Sequence, residues 1–211
     1  MTQIRCIVML LALCLATAAA FAADPPPNKV GSAAVTVTQF APDGKAVGKV
    51  TELTDGNPLS RWLCRQDQSP APLTPIRLSF DLGVERTVVK LRLANYFTGQ
   101  NFDRGCKTMD VFVGMVPLPA PDAKPLVAET PLKISDANGP AWTEILLPKP
   151  VKARYLTLRI TANWGAAGRY AANEVEIYTV EPDPPATAKP GADVPPYGLL
   201  TVTQYDTGGT A

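Results

Sequence analysis

Residues 74–97 read TPIRLSFDLGVERTVVKLRLANYF. Ile76, Leu78, Phe80 and Leu82 occupy alternate positions, and so do Val89, Leu91 and Leu93. A period of two is that of an extended strand, because successive Cβ atoms point to opposite faces of a sheet. A helix would repeat its apolar residues every three or four positions, and neither half does so. The two halves are therefore expected to be two strands, parted by a turn at Gly83.

The same alternation extends in both directions. AVTVTQF (34–40) precedes it. KTMDVFVGMV (107–116) sets Met109, Val111 and Val113 on one face. WTEILL (142–147) and ARYLTLRITANW (153–164) follow, the latter with Tyr155, Leu156, Leu158 and Ile160. NEVEIYTV (173–180) closes the series with Val175, Ile177 and Val180. Gly, Pro, Asp and Asn separate these runs. Short alternating segments punctuated in this way predict an all-β antiparallel sandwich or barrel.

The bulk composition bounds the function. The 211 residues suffice for one sizeable domain, and a hydrophobic content of 46% can fill a core. A net charge of +1 offers no field for nucleic acid or an anionic membrane surface. Histidine is absent, which removes Ser-His-Asp and Cys-His catalysis, His-ligated zinc and His-based pH switches.

The N-terminus reads as a secretory signal over residues 1–22. Arg5 precedes the apolar run CIVMLLALCLATAAAFA, and Ala20-Phe21-Ala22 fits an A-x-A cleavage site. An uncleaved anchor is the competing reading, since the run approaches the length of a spanning helix. The expectation is an exported protein, periplasmic or secreted, with no membrane insertion after cleavage. A Pro-rich spacer (23–32) follows. Cleavage removes Cys6 and Cys14 and leaves Cys64 and Cys106, which in an oxidising compartment are expected to pair. Such a bridge would stabilise by about 4 kcal/mol in the chain-entropy account.

At the other end, EPDPPATAKPGADVPPYG reads as an extended linker over 181–198. In the tail (199–211), TVTQY (201–205) echoes TVTQF (36–40). The tail is either an added edge strand or the first strand of a truncated repeat.

TELTDGNPLSRW (51–62) joins a turn, a carboxylate and a large aromatic. Together with LSFDLG, TVVKLRL, KTMDVFVG, KARYLTLRI and NEVEIY, in that order, it resembles the discoidin domain. That family is also called the coagulation factor five/eight type C domain and overlaps carbohydrate-binding module family 32. The resemblance spans residues 33–180 and implies a galactose-binding-domain-like jelly roll of eight strands, with binding loops at one end.

The resemblance also implies that the Asp-Gly-Asn loop folds around structural calcium. Asp55 and Glu174 would supply carboxylates, and Asn57 and Ser60 further oxygens, with carbonyls of Glu52 or Leu53 and of Asn173 as additional candidates. Calcium takes six to eight hard oxygen ligands, and Gly56 permits the sharp turn that converges them. The alternative from residue types alone is an ordinary turn beside a solvated glutamate. Trp62 reads as a core anchor returning the chain from this loop.

Sugar recognition requires an aromatic platform together with Arg, Asn, Asp or Gln for the hydroxyls, and three loops offer residues of these types. One holds Arg65. The second holds Tyr96, Asn101, Phe102 and Arg104. The third holds Asn163, Trp164, Arg169 and Tyr170. The expected function is a non-catalytic exported module that recognises carbohydrate through these loops. The alternative is a protein-interaction or adhesion module of the cell envelope using the same loops. Glycoside hydrolysis by a carboxylate pair is the third class, and no such pair stands out beyond the calcium candidates.

Overall fold

A computed structural model describes residues 26–66 and 74–183. Residues 1–25, which include the expected signal segment, residues 67–73, and residues 184–211, which include most of the expected linker and the tail, lie outside them.

Nine strands account for the described chain: β1 (Asn28–Lys29), β2 (Thr36–Phe40), β3 (Ala46–Val50), β4 (Trp62–Arg65), β5 (Ile76–Asn95), β6 (Cys106–Gly114), β7 (Val127–Pro131), β8 (Trp142–Asn163) and β9 (Arg169–Thr179). Every strand pairing between them is antiparallel. The expected all-β sandwich is present.

Its two layers share the long strands. β5 runs for 20 residues and β8 for 22, each through a bend. Their pairing breaks register between Asp81 and Arg86, where both strands pass from one layer to the other. In the first layer, β5 from Ile76 to Asp81 lies between β2 and the C-terminal half of β8, with β6 and β7 beyond and β3 outside β2. In the second, the rest of β5 lies between β9 and the N-terminal half of β8. β1 and β4 share the outer edge of β9. So the turn expected at Gly83 is a bend inside one continuous strand. Gly83 has φ +76°, which glycine adopts without steric cost, and its N–H bonds the Asp81 carboxylate at 2.9 Å.

One apolar cluster fills the space between the layers. Val37, Leu78, Phe80, Met109, Val111, Leu156 and Leu158 enter it from the first layer, and Leu91, Leu93, Val175 and Ile177 from the second. Trp62 is buried there, as expected, with its Nε1 donating to Gln39 at 3.0 Å. Val88, rather than Val89, points inward with Leu91 and Leu93. A second register break between Val88 and Lys90 is the reason: the bulge inserts one residue and resets the alternation.

The sandwich also extends past its expected ends. Asn28 and Lys29 pair with Thr179 and Tyr178, and Val30 is buried, so the end of the proposed spacer belongs to the fold. Asp183 holds buried Arg86 at 2.6 Å and accepts the Gly31 N–H at 2.6 Å, and Glu181 accepts from Thr87 at 2.6 Å. These contacts gather both ends of the described fold at the pole where β5 and β8 bend.

The expected Cys64–Cys106 disulfide is corrected: both thiols are free and buried. The Cys64 sulfur accepts from Gln39 Nε2 at 3.2 Å, and Cys106 Sγ donates to the Ala171 carbonyl at 3.4 Å. Burial pushes the Cys106 thiol up to about 12, so it stays protonated. The two cysteines flank β9, on β4 and at the start of β6, and each is held by its own partner.

Candidate functional site

At the pole away from the bends, four connections meet. Residues 51–61 lead into β4. The described part of the β4–β5 connection is tied to the β8–β9 loop by Gln66 N–H to the Gly168 carbonyl at 2.7 Å. The β5–β6 connection (96–105) is tied to the β8–β9 loop by the N–H groups of Trp164 and Ala166, which both donate to the Asp103 carbonyl. Buried Asn173 joins the remaining pair. Its Nδ2 donates to Pro58 and Phe97 carbonyls at 2.9 and 3.3 Å, and its Oδ1 accepts the Phe97 N–H at 2.9 Å. The three loops singled out in the sequence therefore converge.

Their side chains divide into two groups. Tyr96 and Tyr170 are corrected from ligand candidates to core residues, at 1% and 0% exposure. Tyr96 closes β5 on its inward face, and Tyr170 lies opposite Cys64 in the β4–β9 register. Asn163 organises the loop: its Nδ2 donates to the Ala166 and Arg169 carbonyls, both at 2.6 Å, and its Oδ1 accepts Gly165 N–H. Arg65 and Asn101 are exposed, and Phe102, Arg104, Trp164 and Arg169 are half-buried. Asn101 takes the left-handed conformation, φ 59°, that starts the short turn carrying Phe102 and Arg104.

Two aromatic surfaces result. The Trp164 indole donates to the Cys106 carbonyl at 3.2 Å while Lys107 Nζ stands 5.3 Å from its ring centroid. Phe102 stacks with half-buried Phe97, centroids 6.3 Å apart at 20°. Phe97 belongs to the second of the loops read from the sequence, and this stack places it beside Phe102. Asn173 was considered only for its carbonyl, although its amide does the work here; nothing local in the sequence marks an amide that bridges residues 58 and 97.

The 51–61 loop brings the predicted metal residues together. Gly56 has φ +81°, and its N–H donates to Glu174 Oε1 at 3.2 Å. Asp55 accepts from Asn57 N–H at 2.8 Å and meets the Ser60 hydroxyl at 2.6 Å. That hydroxyl also lies 2.8 Å from the Asn57 carbonyl and 3.3 Å from the Glu52 carbonyl. Ser60 has one hydrogen for three acceptors, so two of these contacts set lone pairs against lone pairs. Glu174 Oε2 is buried without a partner. Burial pushes the Glu174 carboxyl up to about 7, and the facing Asp55 adds to the rise. Crowded oxygens and an orphaned carboxylate atom are what a hard cation would resolve, so the donor set fits calcium. Among the described residues no three Asp, Glu, Cys or His side chains gather, so carbonyls and the hydroxyl would complete the shell.

No family model matches the chain, and no curated protein matches it in sequence. Solved structures share its fold. The family 32 carbohydrate-binding module of Clostridium perfringens NanJ, in complex with galactose, is 17% identical with a TM-score of 0.53, over 72% of this chain and 98% of that one. A second Clostridium perfringens family 32 module, in complex with GalNAc-β-1,3-galactose, is 15% identical with a TM-score of 0.54, over 72% and 100%. The C-terminal domain of a chitobiase from Bacteroides fragilis is 19% identical with a TM-score of 0.52, over 72% and 98%. The chain thus has the β-sandwich fold of these modules, the fold that its resemblance to the discoidin domain implies.

Proposed function

We propose that the chain is an exported, non-catalytic carbohydrate-binding module that takes its ligand at the loop pole and is stabilised there by calcium. The observation that carries this reading is the convergence of Trp164, Phe97 and Phe102 with Arg65, Asn101, Arg104 and Arg169 at one end of the sandwich. An aromatic platform covers the apolar face of a pyranose, and the flanking guanidinium and amide groups reach its hydroxyls. Sugar complexes of modules with the same fold support the reading.

Calcium would be held by Asp55 and Glu174 with oxygens of Glu52, Asn57 and Ser60. Bound there, it supplies positive charge that ties the 51–61 loop to β9. Asn173 then passes that rigidity to Phe97, lowering the cost of ordering the binding loops. The apolar N-terminal run and its A-x-A site support export.

A glycan array probed with and without calcium tests the proposal. Binding to glycans, weakened by chelator, is expected. No glycan binding, together with capture of one defined envelope protein through the same loops, would replace it with the protein-interaction reading. Polysaccharide turnover lost on a single carboxylate substitution would overturn the non-catalytic role.

A further inference from the structure

Arg65 and Arg169 are register partners on β4 and β9. Directly opposed residues of an antiparallel pair hold their Cβ atoms about 4.5–5.5 Å apart on one face, where like charges destabilise the sheet. Neither arginine has a carboxylate partner among the described residues. Elsewhere the sheet neutralises its charges across strands. Arg92 lies opposite both Glu176 and Glu144, and it pairs with Glu176 at 3.2 Å. The other opposed arginines, Arg77 and Arg159, are relieved by Asp110, which takes Arg159 at 2.8 Å.

The imbalance continues around the loop pole. Arg104, and Lys107 at the start of β6, have no carboxylate partner among the described residues, and Asp103 is the one acidic residue of the β5–β6 connection. The nearby carboxylates of Asp55 and Glu174 are turned into the 51–61 loop, toward Gly56, Asn57 and Ser60. Lys107 stands over the Trp164 ring, which sets a cation beside the aromatic surface. This holds in a protein whose overall charge is only +1.

From this pairing we infer that the ligand is an acidic glycan, whose carboxylate or sulfate groups sit between Arg65 and Arg169 with Arg104 and Lys107 flanking. The inference rests on the glycan-binding reading above and specifies its ligand class. Planar guanidinium forks bind carboxylate and sulfate oxygens in paired, charge-assisted hydrogen bonds, and the anion removes the cross-strand repulsion as it binds.

The test is isothermal titration of the full chain, purified after export, against polygalacturonate, dextran sulfate and neutral galactan. Three proteins are compared: wild type, the double variant Arg65→Gln/Arg169→Gln, and Lys149→Gln, a lysine at the opposite pole. Wild type should bind at least one acidic polymer about tenfold or more tighter than galactan. The double variant should lose that preference, Lys149→Gln should keep it, and the double variant should melt no lower than wild type. Preference for polygalacturonate assigns a carboxylate, and preference for dextran sulfate assigns a sulfate. Galactan bound as tightly as the acidic polymers, with the double variant unchanged, overturns the acidic ligand and leaves the glycan reading intact. Equal losses in Lys149→Gln and the double variant overturn the local site in favour of net charge. Failure to bind any of the polymers, with a glycan array also blank, overturns both readings.

Discussion

Glu174 carries two opposed demands at one position. Its Oε1 accepts a backbone N–H, while Oε2 is buried beside Asp55 without a partner. Without a cation, Glu174→Gln should leave stability unchanged or raise it, because it removes a buried charge that faces another. With calcium at 100 times its Kd, wild type should gain about 2.7 kcal/mol, and the variant should gain almost nothing. Thermal melts with and without chelator read this directly. A second residue-scale prediction concerns Asp81. Burial alone would raise its carboxyl, but the Arg154 guanidinium at 2.9 and 3.0 Å and the Gly83 N–H outweigh burial and hold it below the usual carboxylate range. A carboxylate depressed by folding stabilises above its unfolded pKa, about 3.9, and that contribution fades as pH falls through the folded value. Arg154→Met should therefore lower the melting temperature near neutral pH, and the gap to wild type should close below about pH 4. The residue types around Asp55 and Glu174 were legible as oxygen donors, yet only the fold could bring positions 118 apart in sequence into contact. Tyr96 and Tyr170 were misplaced for the complementary reason. An aromatic beside arginine looks like a ligand group until the register shows which side of the strand it faces.

Among the elements, β5 decides the architecture, and its bulge decides which valine is core. Val88→Ala should cost roughly 2 kcal/mol, two buried carbon groups at about 0.8 kcal/mol each with a cavity term added. Val89→Ala should cost less than half of that. Urea unfolding of the two variants separates them, and equal losses would contradict the bulge. Alternation in the sequence identified both halves of β5 and of β8. It could not see that each pair is one strand, because Gly83 and the prolines at 148 and 150 carry the same local signal in a bend as in a turn. The Val89 assignment failed because alternation assumes an unbroken ladder. Short edge strands β3, β4 and β7 escaped notice, since β3 and β7 bury little and β4 has only 4 residues.

For the whole molecule, the decisive contact joins Asp183, at the C-terminal end of the described fold, to Arg86 at the bend of β5. Arg86 is 3% exposed, its Nε has no partner, and Asp183 is the carboxylate that neutralises it. Removing one member of a buried ion pair costs roughly 3–5 kcal/mol, and the part-exposed Asp183 places this case at the lower end. A chain ending at residue 180, the boundary that sequence composition suggests, should thus be markedly less stable than one ending at residue 183. Chemical denaturation of the two truncated chains checks this, and equal midpoints would show that Arg86 finds relief elsewhere. Composition misplaced the boundary because EPD reads as linker chemistry, while Glu181 and Asp183 are anchored by partners about a hundred residues earlier. The same clasp has an effect on reach. Polypeptide attached before residue 28 or after residue 183 leaves from the pole where β5 and β8 bend, on the far side from Trp164 and Arg65. Both attachment points therefore lie at the base of the sandwich, so a polymer lying against the arginine face would meet neither of them.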